Sequence, residues 1–428
     1  MPVFEREDHL DIYENRYELH QGEETEVYYE GYQSLETQRR YSRINAVLEA
    51  GFLDEKMSHL HEVDFSQLSD ENQSLLRNMV NGITSEVGRA LVGLAFLQLT
   101  IKSIAPDQCV RLHKGTTRQG SFSWVDGISM RTIDSSYNTP FLREHGLLNI
   151  NKYGIMMTRT LAENYPYSKL YKAEMRGPFD DWIAIVDALE NETMPPELGL
   201  CYLMSLLKNR SDRFKETANH ACELVKNFRT ARLSIVQDRL TRFFNTTDYS
   251  ARAFEVVMHG LFQAMGECYL LGDAEVVPIS QMRSANKKHG NVGDIELSEQ
   301  SVIVEAWDAK YGKPYLRDEL EELRDKLLTH PEVRVAGFVV DLAVDKRRDI
   351  VDRANELALE TGTDIRLFSF AEWVEYEIGS LPNSMKNEIG YRWMRAVVES
   401  FAQKRTNIAP IDEPCDAWLE DLIRILSR

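Results

Sequence analysis

The chain offers little to a membrane. Among its 428 residues no apolar run approaches the roughly 20 needed to span a bilayer. The longest, residues 90–101, carries Gly93 and Gln98 and is expected to form a buried helix. The opening residues MPVFEREDHL have neither a basic start nor an apolar stretch, so no secretory signal is expected and the protein is assigned to the cytoplasm. Cysteine is scarce. Cys109, Cys201, Cys222, Cys268 and Cys415 show no CxxC or CxH spacing, which argues against a disulfide frame or a zinc site and fits reduced thiols. The ten histidines show no ligand pattern either. Any metal is therefore expected to be a hard cation held by carboxylates. A phosphate-binding GxxxxGK[ST] loop is also missing, so a nucleotide-driven motor would have to be a separate protein. There is no internal repeat and no low-complexity tract.

What is present is acid, unevenly spread. The formal net charge is −18, which taken alone disfavours a polyanionic partner. Residues 1–30 hold ten acids and two arginines, whereas residues 111–176 and residues 208–252 each hold ten Lys/Arg against five Asp/Glu. Nucleic-acid binding responds to the local surface, so such stretches can still meet DNA; the alternative is that both are solvated faces.

The order of patterns predicts four segments. Residues 1–105 read as an acidic arm, without an apolar period, followed by a helical region. There Ile44, Leu48, Phe52 and Leu60, then Leu75, Leu76, Met79, Val80 and Ile83, recur mostly at helical spacing, and Ser69 marks a helix start. Residues 106–248 begin turn-rich, with short strands, loops and one or two brief helices expected over residues 109–178. Basic and aromatic residues interleave there: Arg118, Arg131, Arg143, Lys152, Arg159, Lys169 and Lys172 among Phe122, Trp124, Tyr137, Tyr153 and Tyr165. Such loops suit contact with nucleic-acid backbone and base edges. Trp124 and the Met156–Met157 pair are expected in the core. Helices follow to residue 244, with Arg229, Arg232, Arg239 and Arg242 expected on an exposed face. Residues 249–380 alternate helix and strand, and residues 381–428 read as two helices. The class is α/β, mixed α+β overall.

The stretch VIVEAWDAKY concentrates the chemistry. Strand alternation places Val304, Ala306, Asp308 and Lys310 on one face and Ile303, Glu305, Trp307 and Ala309 on the other. A carboxylate and an ammonium ending an apolar strand are costly without partners or a task. Asp294, fourteen residues earlier, starts the partner strand of a short hairpin and can lie beside Asp308. Paired carboxylates repel one another but grip Mg2+. Such a metal can acidify a water and bind a phosphate oxygen, while Lys310 stabilises developing charge. Gly293 lets the backbone enter the strand sharply. Glu255, on a helix whose buried side is Phe254, Val257, Met258 and Leu261, is either an outer ligand or an exposed helix acid. Glu296 is either an added ligand or a solvated strand residue. Lys287, Lys288 and His289 either touch a phosphate or form a solvated loop. Glu305 is excluded by its face.

A helix acid, then Gly-Asp, then a strand ending Asp-x-Lys resembles the PD-(D/E)XK nuclease superfamily. The stretch Asp308-Ala309-Lys310-Tyr311 is similar to the motif of restriction and modification-dependent nucleases, although Gly293 stands where the naming proline would. The resemblance covers about 60 residues directly, or about 130 with the following α/β run, treated as a motif that needs its structural context. It implies a restriction-endonuclease-like core with a mixed central sheet. It also implies Asp294 and Asp308 as metal ligands, Lys310 as the catalytic lysine and Glu255 as the helix acid. The activity implied is Mg2+-dependent cutting of double-stranded DNA, with Mn2+ a substitute, by a type II restriction endonuclease. One site per chain and two strands to cut favour a homodimer. A modification-dependent or partner-requiring defence nuclease and a non-catalytic DNA-binding protein are the alternatives.

Overall fold

The computed structural model describes residues 8–83, 86–148, 150–157, 159–175, 177–279, 291–313, 315–344, 346–402 and 415–427. The strands are β1 (His9–Ile12), β2 (Arg16–Gln21), β3 (Glu24–Tyr29), β4 (Glu275–Val276), β5 (Ile295–Glu299), β6 (Val302–Lys310), β7 (Val335–Val340) and β8 (Asp364–Ser369). The first helices are α1 (Leu35–Glu49), α2 (Phe52–Ser58), α3 (Asp70–Asn81), α4 (Glu86–Ile104), α5 (Met130–Ile133), α6 (Thr139–Glu144), α7 (Phe179–Glu190) and α8 (Pro196–Val225). They are followed by α9 (Leu233–Thr246), α10 (Ser250–Glu267), α11 (Arg317–Leu327), α12 (Arg348–Thr361), α13 (Phe370–Ile378), α14 (Asn383–Ala402) and α15 (Cys415–Leu426). The fold is mixed α+β, as the patterning implies. No helix among the described residues is long and apolar enough to cross a membrane. The chain divides into two compact units, one from residues up to 213 and one from residue 214 onward, and the division falls inside α8.

In the first unit, residues 9–29 are not an arm. They form an antiparallel sheet in the order β1-β2-β3. Alternation on β2 turns Tyr17 and Leu19 inward, where they pack with Tyr28, Leu112 and Trp124. The helical pattern after it holds: Ser69 caps α3 by accepting the Asn72 N–H at 3.2 Å. The apolar run at residues 90–101 lies in α4 and is buried along its whole length. Gln98, in its middle, is fully bonded: it donates to the Val110 carbonyl at 2.9 Å and accepts the Trp182 indole N–H at 2.8 Å. One core draws on residues 44–207, so the segments read as 1–105 and 106–248 share it.

The strands expected over residues 109–178 do not form among the described residues. Short helices, 3-10 turns and a π-turn at Asp134–Asn138 take their place, apart from an isolated Glu30–Trp124 bridge. Side chains fix these turns where ladders would otherwise do so. Asp134 is the clearest case. One carboxylate oxygen accepts the backbone N–H groups of Ile155 and Met156 at 2.6 and 3.1 Å, and the other accepts from Thr139 and Asn138 at 2.8 and 3.2 Å. Trp124 and Met156 lie in the core, as expected.

In the second unit a five-stranded sheet runs β4-β5-β6-β7-β8, antiparallel from β4 to β6 and parallel from β6 to β8. One face packs against α9, α10 and α13–α15 through Trp307, Phe254, Trp373 and Trp393; the other packs against α11 and α12 through Ala306, Phe338, Leu320 and Ile350. Buried on both faces, β7 is nearly all apolar. Residues Gln300 and Ser301, both at positive φ, make the two-residue turn between β5 and β6.

Candidate active site

The β5–β6 hairpin pairs Ile295 with Trp307, so the next position outward sets Asp294 against Asp308. One Asp294 carboxylate oxygen accepts the Ala309 N–H at 3.0 Å, which fixes its approach to β6. Gly293 does not need a left-handed backbone here. A Cβ at that position would lie 2.8 Å from the Trp307 carbonyl oxygen, so glycine permits close backbone contact. The neighbouring Glu296 is not a solvated residue. It is buried and accepts the N–H groups of Val292 and Gly293 at 2.6 and 3.3 Å, which holds the turn leading into Asp294.

Strand parity needs one correction. A bulge between the pairs Leu297–Glu305 and Ser298–Ile303 leaves Val304 as an extra residue on β6. Val304 therefore packs in the core of Trp307, while Ile303 joins the core of Ala306. Beyond the bulge the alternation is regular. Lys310 shares the Ala306 face, and Glu305 is turned to the other side, where it accepts the Trp307 indole N–H at 2.6 Å.

Lys310 reaches Asp308 at 3.2 Å and Glu319 of α11 at 2.7 Å. Burial works to lower its basicity, but Asp308, Glu319 and Asp294 outweigh that and hold it above the usual lysine range, so it is a fixed cation. Burial pushes Asp294 well above the usual carboxylate range, with Asp308 and Glu255 adding to the effect. Glu255 is also raised by burial, opposed by Arg252 and reinforced by Asp308. It is not an exposed helix acid: it forms an ion pair with the buried Arg252 one turn earlier on α10. The helix face opposite it is the expected one, with Phe254, Val257, Met258 and Leu261 fully buried.

Lys310 thus pairs with Asp308, and Asp294 and Glu255 lie near enough to Asp308 to act on one another electrostatically, although the three carboxylates do not bring their oxygens within 4.8 Å of one another as a group. Arg252 and Glu319 complete the set and were not singled out by sequence. Arg252 could have been found from its three-residue spacing to Glu255, whereas Glu319 sits among other acids in RDELEELRDKL with nothing to distinguish it. The basic residues of the first unit, Arg118, Arg131, Arg143, Lys152, Arg159, Lys169 and Lys172, are all exposed. Arg229, Arg232 and Arg242 are exposed too, and Arg239 is half-buried. Lys287, Lys288 and His289 lie outside the described residues. The expectation that no histidines share a ligand arrangement fails in β1 and β2, where His9 and His20 come together beside Asp11. No protein-family model matches the chain, and no curated protein matches its sequence.

Proposed function

We propose that this protein is a Mg2+-dependent endonuclease that hydrolyses phosphodiester bonds of double-stranded DNA in the cytoplasm, in the manner of a type II restriction endonuclease. The observation that carries the reading is the Asp294 carboxylate held at 3.0 Å by the Ala309 N–H beside Asp308, with Lys310 at 3.2 Å from Asp308.

The donor set suits a hard divalent cation. Burial and mutual repulsion leave Asp294 an unfavourable place for charge, and a cation removes that penalty. Asp294 and Asp308 would hold it, with Glu255 as an outer ligand, and Mn2+ could substitute. When bound, the metal supplies Lewis acidity and a water acidified toward neutrality. The chain's own groups do the rest. Lys310 stays protonated between Asp308 and Glu319 and offers N–H donors to charge developing on phosphate or the attacking oxygen. Arg252 holds Glu255 in place, and Glu296 fixes the entry to Asp294. The exposed cations of the first unit, together with Lys287 and Lys288, are the proposed DNA contacts. A two-fold homodimer would cut both strands.

The test incubates purified protein with several plasmid DNAs, with and without Mg2+. Discrete fragments that vanish with EDTA and in Asp308→Ala support the proposal. Cutting confined to methylated DNA, or dependent on an added ATPase, would assign the same site to a different defence nuclease. DNA binding without cutting in Mg2+ or Mn2+ would leave a binding protein and overturn the catalytic reading.

A further inference from the structure

The outer face of the N-terminal sheet carries a second group of metal-ligating side chains, unrelated to the carboxylate site. His9 of β1 is the direct cross-strand partner of His20 on β2, and Asp11 is the partner of Glu18. Alternation puts all four on the face opposite Tyr17 and Leu19. The imidazoles stack with ring centroids 4.3 Å apart. The Asp11 carboxylate lies 3.5 Å from His20 Nε2 and 3.8 Å from His9 Nε2. One ligand atom from each of His9, Asp11 and His20 falls within 4.8 Å of the others.

The His20 ring is also held from β3. Its Nδ1 is engaged by the Thr25 hydroxyl of β3 at 2.8 Å. Its Nε2 is shielded from solvent and makes no hydrogen bond. In the tautomer in which Nδ1 donates to Thr25, the Nε2 lone pair faces the Asp11 carboxylate, the arrangement that a cation between them selects. A hydrogen bond at one ring nitrogen that orients the other toward the metal is the usual outer-shell support of a metal-bound imidazole, and the Thr25 hydroxyl supplies one here. One Glu18 oxygen pairs with Arg16 at 2.6 Å, and the other stands 4.0 Å from His20 Nε2.

We propose that His9, Asp11 and His20 form a site for a borderline divalent transition-metal ion of the Zn2+ type, with a fourth position left to water. Two imidazoles and a carboxylate match that class of ion and not Mg2+. Ligand atoms around tetrahedral zinc stand about 3.4 Å apart at a zinc–nitrogen distance near 2 Å. The Asp11–His20 separation of 3.5 Å is already of that size, and the Asp11–His9 separation of 3.8 Å is close to it. Bound there, the ion ties β1, a four-residue edge strand, to β2.

The probe is Co2+, titrated into the full-length, metal-stripped chain and read by its visible absorption bands, with Zn2+ competition. One equivalent is expected to bind with bands of a four-coordinate nitrogen–oxygen site, equally in wild type and in Asp308→Ala, which separates this site from the proposed nuclease centre. His20→Ala and His9→Ala, both at exposed or half-exposed positions, should each weaken binding more than the roughly 10- to 100-fold expected for the outer-shell change Thr25→Val. Absence of binding in wild type, or binding unchanged in the His9→Ala/His20→Ala double variant, overturns the proposal.

Discussion

The carboxylate of Asp294 accepts the backbone N–H of Ala309 at 3.0 Å, and this bond across the hairpin aims Asp294 at Asp308. The approach is possible because Gly293 has no side chain. A Cβ there would meet the carbonyl oxygen of Trp307 at 2.8 Å and its backbone carbon and nitrogen at 3.0 Å. Backbone on an internal strand cannot move aside cheaply, so Gly293→Ala should push Asp294 outward while the sheet persists. A displacement near 1 Å at a reacting centre costs on the order of 100-fold in rate. The expected outcome is a folded protein, by circular dichroism, whose Mg2+-dependent cutting falls by about that factor. A variant cutting within twofold of wild type would show that this contact does not set the carboxylate.

Lys310 stands between Asp308 and Glu319 at 3.2 and 2.7 Å. Glu319 touches Lys310, and under the proposed function it acts through the lysine. Lys310→Gln should lower the single-turnover cutting rate by ~10²–10³, the size of loss seen when one preorganised electrostatic donor is removed. Glu319→Gln preserves shape but not charge and should give a smaller loss. The double variant should be no worse than Lys310→Gln alone, because residues acting through one another are not additive. Additive losses would give Glu319 an independent role.

Much of this arrangement was legible in the sequence because it rests on short-range patterns. A turn after β5, expected at Ser298–Gln300 and found at Gln300–Ser301, the apolar run of β6 and the spacing from Asp294 to Asp308 are local, and together they fix the hairpin. Other features depend on partners that local patterns do not name. The extra residue Val304 in β6 reverses the face of everything before it, and nothing in VIVEAWDAK marks where the bulge falls. Glu296 reads as a surface acid, yet two backbone N–H groups of the preceding turn make it a buried acceptor. β1 to β3 were hidden by their composition: the buried positions Tyr17 and Leu19 alternate with Arg16, Glu18 and His20, so the charge masks a period of two. The meeting of His9 and His20 follows from that register alone, since eleven residues apart is no metal-binding spacing.

Asp134 shows how the turn-rich part of the first unit is held. Fully buried, it bonds two backbone N–H groups at Ile155 and Met156 and two side chains at Asn138 and Thr139. Asp134→Ala leaves the Ile155 and Met156 N–H groups and the Thr139 hydroxyl without this acceptor, while Asn138 keeps the Gly93 carbonyl at 3.3 Å. One unsatisfied buried donor costs roughly 1–3 kcal/mol, and partial relaxation of the stranded donors should bring the total to about 3 kcal/mol. Urea unfolding that reports on the first unit should register the loss. Asp134→Asn, which keeps one acceptor oxygen, should lose less than Asp134→Ala. A change under about 1 kcal/mol for Asp134→Ala would mean that water replaces the carboxylate and that the turns hold without it.

Glu377 of α13 predicts a dependence on pH. Burial, reinforced by Glu305 on β6, pushes its carboxyl up to about 9, against the opposing influence of the Trp373 indole. In the unfolded chain a glutamate titrates near about 4.3. Below that value both states carry the proton and Glu377 has no effect on stability. Between about 4.3 and the folded value the unfolded chain has lost its proton while the folded protein keeps it, so the folded state binds more protons and stability falls as pH rises. Above about 9 both states are ionised and the effect levels off. One proton corresponds to a slope of about 1.4 kcal/mol per pH unit at most. Glu305 is raised as well, first by burial, with Trp307 and Arg334 opposing, and contributes with the same sign. Urea midpoints measured from pH 5 to 9 should therefore decline in wild type and decline less steeply in Glu377→Gln, which carries no ionisable group. Parallel profiles for the two proteins would show that Glu377 is ionised in the folded state at neutral pH and that its surroundings are wetter than its burial implies.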